Sequence, residues 1–131
     1  MKKIFLFIFD LGLGGTEKVM VNLANYLNRN DFKVHILTIS DIRTDLLNEI
    51  NEGVEIESLR ASRILFSYTR LLRYIKNNDL NYFVANVWPL TSLTIICGFF
   101  IRDFHKKVFL IDHCHLGMEF ASKSYFFRFF Q

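Results

Sequence analysis

Two short stretches carry the residue types from which a reactive site can be built. Residues 10–17 read D-L-G-L-G-G-T-E. Three glycines there lack the Cβ atoms that keep a ligand off the backbone, and a following helix start would offer unpaired N–H groups and the positive end of its dipole. Phosphate is the anion such a loop suits. The same glycines also serve a plain tight turn, and both readings stand. The second stretch is Asp112, His113, Cys114 and His115. His113 there is placed to hydrogen-bond a ligand hydroxyl or steady a developing charge, against the plainer role of an ordinary hydrogen-bonded histidine. Two histidines one residue apart also suggest a metal, but no C-x-x-C or H-E-x-x-H spacing supplies a third ligand, so none is expected.

Better-known phosphate loops are excluded by spacing. Gly12 and Gly14 give G-x-G, but Glu17 stands at the third glycine position of the dinucleotide fingerprint, and no G-K-[ST] follows. Asp41 falls where a ribose-binding acid would lie, yet the missing glycine counts against a nicotinamide enzyme. Further along, Arg63, Arg70, Arg73 and Lys76 form an arc opposite Ile64, Tyr68, Leu71 and Ile75. This basic face suits either solvent or anionic lipid and phosphate.

Positioning these residues requires a scaffold, and the chain alternates apolar runs with helix-period segments, the pattern of β-α-β units around a parallel sheet. Five strands are expected, at 4–9, 33–39, 54–59, 82–88 and 107–112. Between the first two, Val19, Met20, Leu23, Ala24 and Leu27 recur on one helical face, with Thr16 as the expected N-cap and Glu17 in the first turn. Further helices are predicted at about 41–51, ending near Gly53, at 63–76, and at 90–102 after Pro89. The fold class that follows is α/β, a doubly wound parallel sheet of about five strands, for which 3-2-1-4-5 is one order the strands can take. In that order the first and fourth strands flank the topological switch point, and ligands collect beyond their carboxyl ends.

Composition sets the bounds. With 131 residues, 51% apolar and 22% charged, one globular domain is expected, able to bury roughly two thirds of its unfolded surface. Cys97 and Cys114 are too few for a disulfide framework and read as buried thiols in a reducing cytoplasm. Residues 1–60 carry 7 basic and 9 acidic groups, and residues 61–131 carry 9 and 4, which tilts the second half toward anionic partners. The absence of any Lys/Arg run leaves nucleic acid out. Lys2 and Lys3 precede an apolar run that stops at Asp10, too short for a signal peptide, and the stretch 93–101 is too short to span a bilayer.

One resemblance joins these features. From Lys3 to Thr38 the sequence KIFLFIFDLGLGGTEKVMVNLANYLNRNDFKVHILT resembles the opening of family 4 glycosyltransferases of the GT-B fold. The likeness lies in a first strand, a Gly14-Gly15-Thr16-Glu17 loop, the Asn22-Leu23-Ala24 helix core and an aliphatic second strand. KVFLIDH, ending at His113, looks like the family's fifth strand and the histidine after it. The resemblance implies a Rossmann-like N-terminal domain and transfer of a sugar from a nucleotide-diphosphate donor with retention of configuration. It implies no resident cofactor and no required metal.

In that likeness Gly14, Gly15 and Thr16 approach the donor phosphate or the sugar, and His113 lines the catalytic cleft. The domain mainly receives the acceptor, a glycan or lipid-linked carrier at the inner membrane face, in building bacterial surface polysaccharide or lipopolysaccharide. The family's second, donor-binding domain has no counterpart here. After Gly117 come only MEFASKSYFFRFFQ, with Phe120, Phe126, Phe127, Phe129 and Phe130 in need of an apolar partner. The expectation is therefore a truncated or split enzyme, inactive alone and completed by a separate donor domain. The other class left open is a non-catalytic Rossmann-like module that binds nucleotide or protein.

Overall fold

The computed structural model describes residues 1–41 and 45–112. Five strands, β1 (Lys2–Ile8), β2 (Phe32–Thr38), β3 (Glu55–Ser58), β4 (Tyr82–Asn86) and β5 (Val108–Ile111), form one sheet in the order β3-β2-β1-β4-β5. Every pairing is parallel, with Ile4 opposite both Val34 and Tyr82. The order 3-2-1-4-5 and the expected doubly wound α/β class are thus present. Three α-helices accompany the sheet: α1 (Gly15–Arg29), α2 (Ile64–Asn77) and α3 (Leu90–Gly98).

Alternation along the central strands sorts their side chains to two faces. Ile4, Leu6, Ile8, Val34, Ile36 and Val84 pack with Met20, Val21 and Ala24 of α1. Phe5, Phe7, Leu37, Phe83 and Ala85 pack on the opposite side with Leu71 and Ile75 of α2 and with Leu90, Leu93 and Cys97 of α3. Each such fully buried aliphatic or aromatic side chain contributes about 1.5–3 kcal/mol by leaving water. Burial also pushes the Cys97 thiol up to about 11, so it stays protonated at neutral pH. Cys114 lies outside the described residues.

Several boundaries differ from the sequence reading, each for a local reason. The α1 stripe runs through Val21, while Val19 is exposed. Gly14, not Thr16, is the N-cap, so the helix begins one residue before Thr16. In place of a helix over 41–51, the described part holds only a 3-10 turn, Leu47–Glu49. Its backbone is pinned from α1, where Asn25 donates to the Glu49 carbonyl at 2.7 Å and accepts from the Asn51 N–H at 2.8 Å. Those bonds satisfy polar groups that a helix would otherwise pair internally. Gly53 ends no α-helix, and a Cβ there would crowd the Asn28 amide at 2.7 Å. β4 stops at Asn86 because Val87 is left-handed, φ 58°, a conformation rare for a β-branched residue. α3 ends at Gly98 and a 3-10 turn, Phe104–Lys107, follows the left-handed Asp103.

The basic arc of α2 is exposed at Arg63, Arg70, Arg73 and Lys76, as a solvated face would be. Arg70 has a second task. Its guanidinium donates to the Leu59 carbonyl at 2.8 Å and to that of left-handed Arg60, tying the end of β3 to the helix. Arg70→Ala is expected to lower stability by about 1–2 kcal/mol in urea denaturation, more than the same change at Arg73.

Candidate functional site

Because all five strands run in the same direction, the segments following β1, β4 and β5 leave the sheet at one edge. β1 and β4 are adjacent there, and the chain leaves them toward opposite faces, to α1 and to α3. That arrangement defines the switch-point crevice of a doubly wound sheet.

The loop after β1 is firmly held. Asp10 accepts from the Gly12 N–H at 2.8 Å, Leu11 is fully buried, and the Leu11 carbonyl accepts from the Leu46 N–H at 3.3 Å. Phe9 accepts from the backbone N–H of Ile39 and from the Ser40 hydroxyl at 3.2 Å, joining the loop to the end of β2. Leu13 is left 78% exposed.

Gly14 and Gly15 then open α1. No described glycine has a positive φ, so the backbone does not demand glycine at either position. A Cβ on Gly15 would meet nothing within 4 Å. Neither strain nor internal packing accounts for glycine there; its missing side chain leaves free space over the first helical turn. A Cβ on Gly14 would instead collide with the Glu17 carboxylate, which folds back over the helix start and accepts from the Thr16 hydroxyl at 2.9 Å. Glu17 is the third residue of the helix, the position from which a carboxylate offsets the unpaired amides and the dipole. Glu17 thus places a negative charge of the chain's own at the helix start.

Across the switch point, β4 ends in Asn86, which is 1% exposed and whose Oδ1 has no hydrogen-bond partner among the described residues. Burying an amide oxygen without a partner is costly, by about 1–3 kcal/mol, and such atoms are uncommon. Trp88, two residues on, is 48% exposed. Asn86 was missed by sequence reasoning, although a lone polar residue closing the apolar run Y-F-V-A-N is a visible signal. β5 ends at Ile111 on the same edge. His113, with Cys114 and His115, follows two residues later in sequence and lies outside the described residues, as do the C-terminal phenylalanines.

Elsewhere, Ile95, Phe99, Phe104, Val108 and Leu110 line an apolar groove along α3 and β5, with Phe99 82% exposed. Among the described residues no helix is long and apolar enough to cross a membrane.

Fold and edge geometry together define this chain as an α/β protein with a Rossmann-like doubly wound sheet. No protein-family model matches the chain, and no curated protein matches it.

Proposed function

We propose that this chain is the acceptor-side domain of a glycosyltransferase, with the carboxyl edge of β1 and β4 receiving the carbohydrate acceptor. The observation that carries the reading is the open space over Gly15 beside a carboxylate at the helix start. Glu17 repels a diphosphate but accepts hydrogen bonds from sugar hydroxyls. Trp88 supports the same ligand class, since an exposed indole offers an apolar face with a polar N–H. The glycine loop thus favours the sugar over the phosphate, the choice that the resemblance leaves open.

In this account the acceptor hydroxyl attacks the anomeric carbon of a nucleotide-diphosphate sugar, and the nucleoside diphosphate departs with the bonding electrons and takes up the hydroxyl's proton on its phosphate oxygen. The donor is held mainly by a second domain, and the resemblance assigns His113 to the catalytic cleft. The chain works in the cytoplasm, with peripheral contact to a lipid-linked acceptor at the inner membrane face, in surface polysaccharide or lipopolysaccharide synthesis. His113→Ala then lowers turnover of the completed enzyme with little loss of thermal stability; an unchanged rate removes His113 from the site.

Calorimetry separates this reading from its main competitor. The isolated chain is expected to bind oligosaccharide fragments of surface glycans and to show no micromolar affinity for nucleotide sugars. Micromolar nucleotide-sugar binding by the chain alone, or no saccharide binding, contradicts the proposal, and the first result identifies a nucleotide-binding module instead.

A further inference from the structure

Away from the carboxyl edge, on the face covered by α2, three potential metal-binding side chains meet. His35 of β2 stands in register with Glu55 of the edge strand β3. Its ring is 6% exposed and stacks on Phe5 with centroids 4.5 Å apart and planes 10° from parallel. Among the described residues neither ring nitrogen has a hydrogen-bond partner. Glu55 Oε2 lies 3.1 Å from Nδ1, close enough for an ion pair, but it does not form an aligned hydrogen bond with the ring. Glu57 is two residues beyond Glu55 on the same strand and therefore projects to the same side. One donor atom from each of His35, Glu55 and Glu57 lies within 4.8 Å of the others.

A buried imidazole with two unpartnered nitrogens, beside two carboxylates, is an incomplete polar cluster, and such clusters are costly unless something satisfies them. We propose that His35, Glu55 and Glu57 bind a divalent transition-metal ion of the zinc class, which clasps edge strand β3 to β2. Imidazole with carboxylates suits zinc and its neighbours, whereas magnesium and calcium prefer all-oxygen sets. Donors around tetrahedral zinc stand about 3.3 Å apart for bonds of about 2.0 Å. The two exposed glutamates can close that gap by rotating, while the imidazole is fixed by its stack on Phe5.

The surroundings fit the donor set. Lys33 Nζ pairs with Glu55 Oε1 at 2.8 Å, while Oε2 of the same carboxylate is the oxygen nearest His35. Tyr74 of α2 stands edge-on to Phe5, with its buried hydroxyl beside Glu57. A phenol O–H there can donate to a ligating carboxylate. The proposal does not depend on the reading of the carboxyl edge.

The full chain should be titrated with zinc chloride by calorimetry, with thermal melts in parallel. His113, Cys114 and His115 are replaced in every sample by Ala, Ser and Ala so that they cannot compete. One zinc ion per chain is expected, with a rise in Tm that magnesium chloride does not reproduce. Glu57→Gln and His35→Phe are each expected to weaken binding by at least about tenfold and to abolish the rise in Tm. Phe keeps the stack on Phe5, and if that variant fails to fold, Glu57→Gln at an exposed position decides alone. Zinc affinity unchanged by Glu57→Gln, or no saturable binding below about 1 mM zinc, overturns the proposal.

Discussion

Phe83→Ala is expected to remove about 3–5 kcal/mol of stability, the largest single-residue loss anticipated for this chain. Phe83 is fully buried in β4, with its ring 5.8 Å from Phe7 and 5.5 Å from Phe104. It joins the central strand β1 to the turn that precedes β5, so a cavity there is walled by three elements. Surrounding groups relax only partly around such a cavity, and the lost transfer energy is joined by lost dispersion contacts. Domains of this size have about 5–15 kcal/mol in total, so Tm should fall by on the order of 10–20 °C. Phe109 on the edge strand is 55% exposed, and Phe109→Ala should cost far less in the same melts. A loss below about 1 kcal/mol at Phe83 would mean that this aromatic cluster does not form the core.

The second large effect is on binding. Gly15→Trp builds a bulky side chain from a position where a Cβ would meet nothing within 4 Å. Saccharide affinity should fall by at least about tenfold, because the ligand can no longer approach the first turn of α1. Stability should change by no more than about 0.5 kcal/mol, since φ is ordinary there and a Cβ would meet no atom within 4 Å. Affinity and Tm measured on one preparation separate the two effects. Unaltered affinity would reduce the loop to a turn with no contact to ligand.

The periodicity that made the scaffold legible is the same that buries it. Apolar runs such as I-F-L-F-I are long enough to be strands and lack polar alternation, so burial on both faces and a parallel sheet follow from them alone. Where tertiary hydrogen bonds replaced local ones, periodicity misled. Asn25 pins residues 49–51 from another element, and a helix read over that segment gave way to a single 3-10 turn. Val87 ended β4 early through its own left-handed backbone, which no apolar pattern encodes.

The site divides the same way. Gly14, Gly15 and Thr16 could be placed at the switch edge from spacing, but the fold-back of Glu17 over the helix start depends on side-chain geometry. Likewise the lone histidine in K-V-H-I-L-T and the alternating glutamates in V-E-I-E-S are each visible in the chain. Only the register of β2 against β3 brings His35 together with Glu55 and Glu57.

The most direct test is to follow backbone amide signals of the isotopically labelled chain while an acceptor-type oligosaccharide is added. If the carboxyl edge receives carbohydrate, shifts concentrate at residues 12–17 and 86–88 and disappear in Gly15→Trp. Shifts concentrated along the α3–β5 groove, or none at saturating saccharide, contradict it.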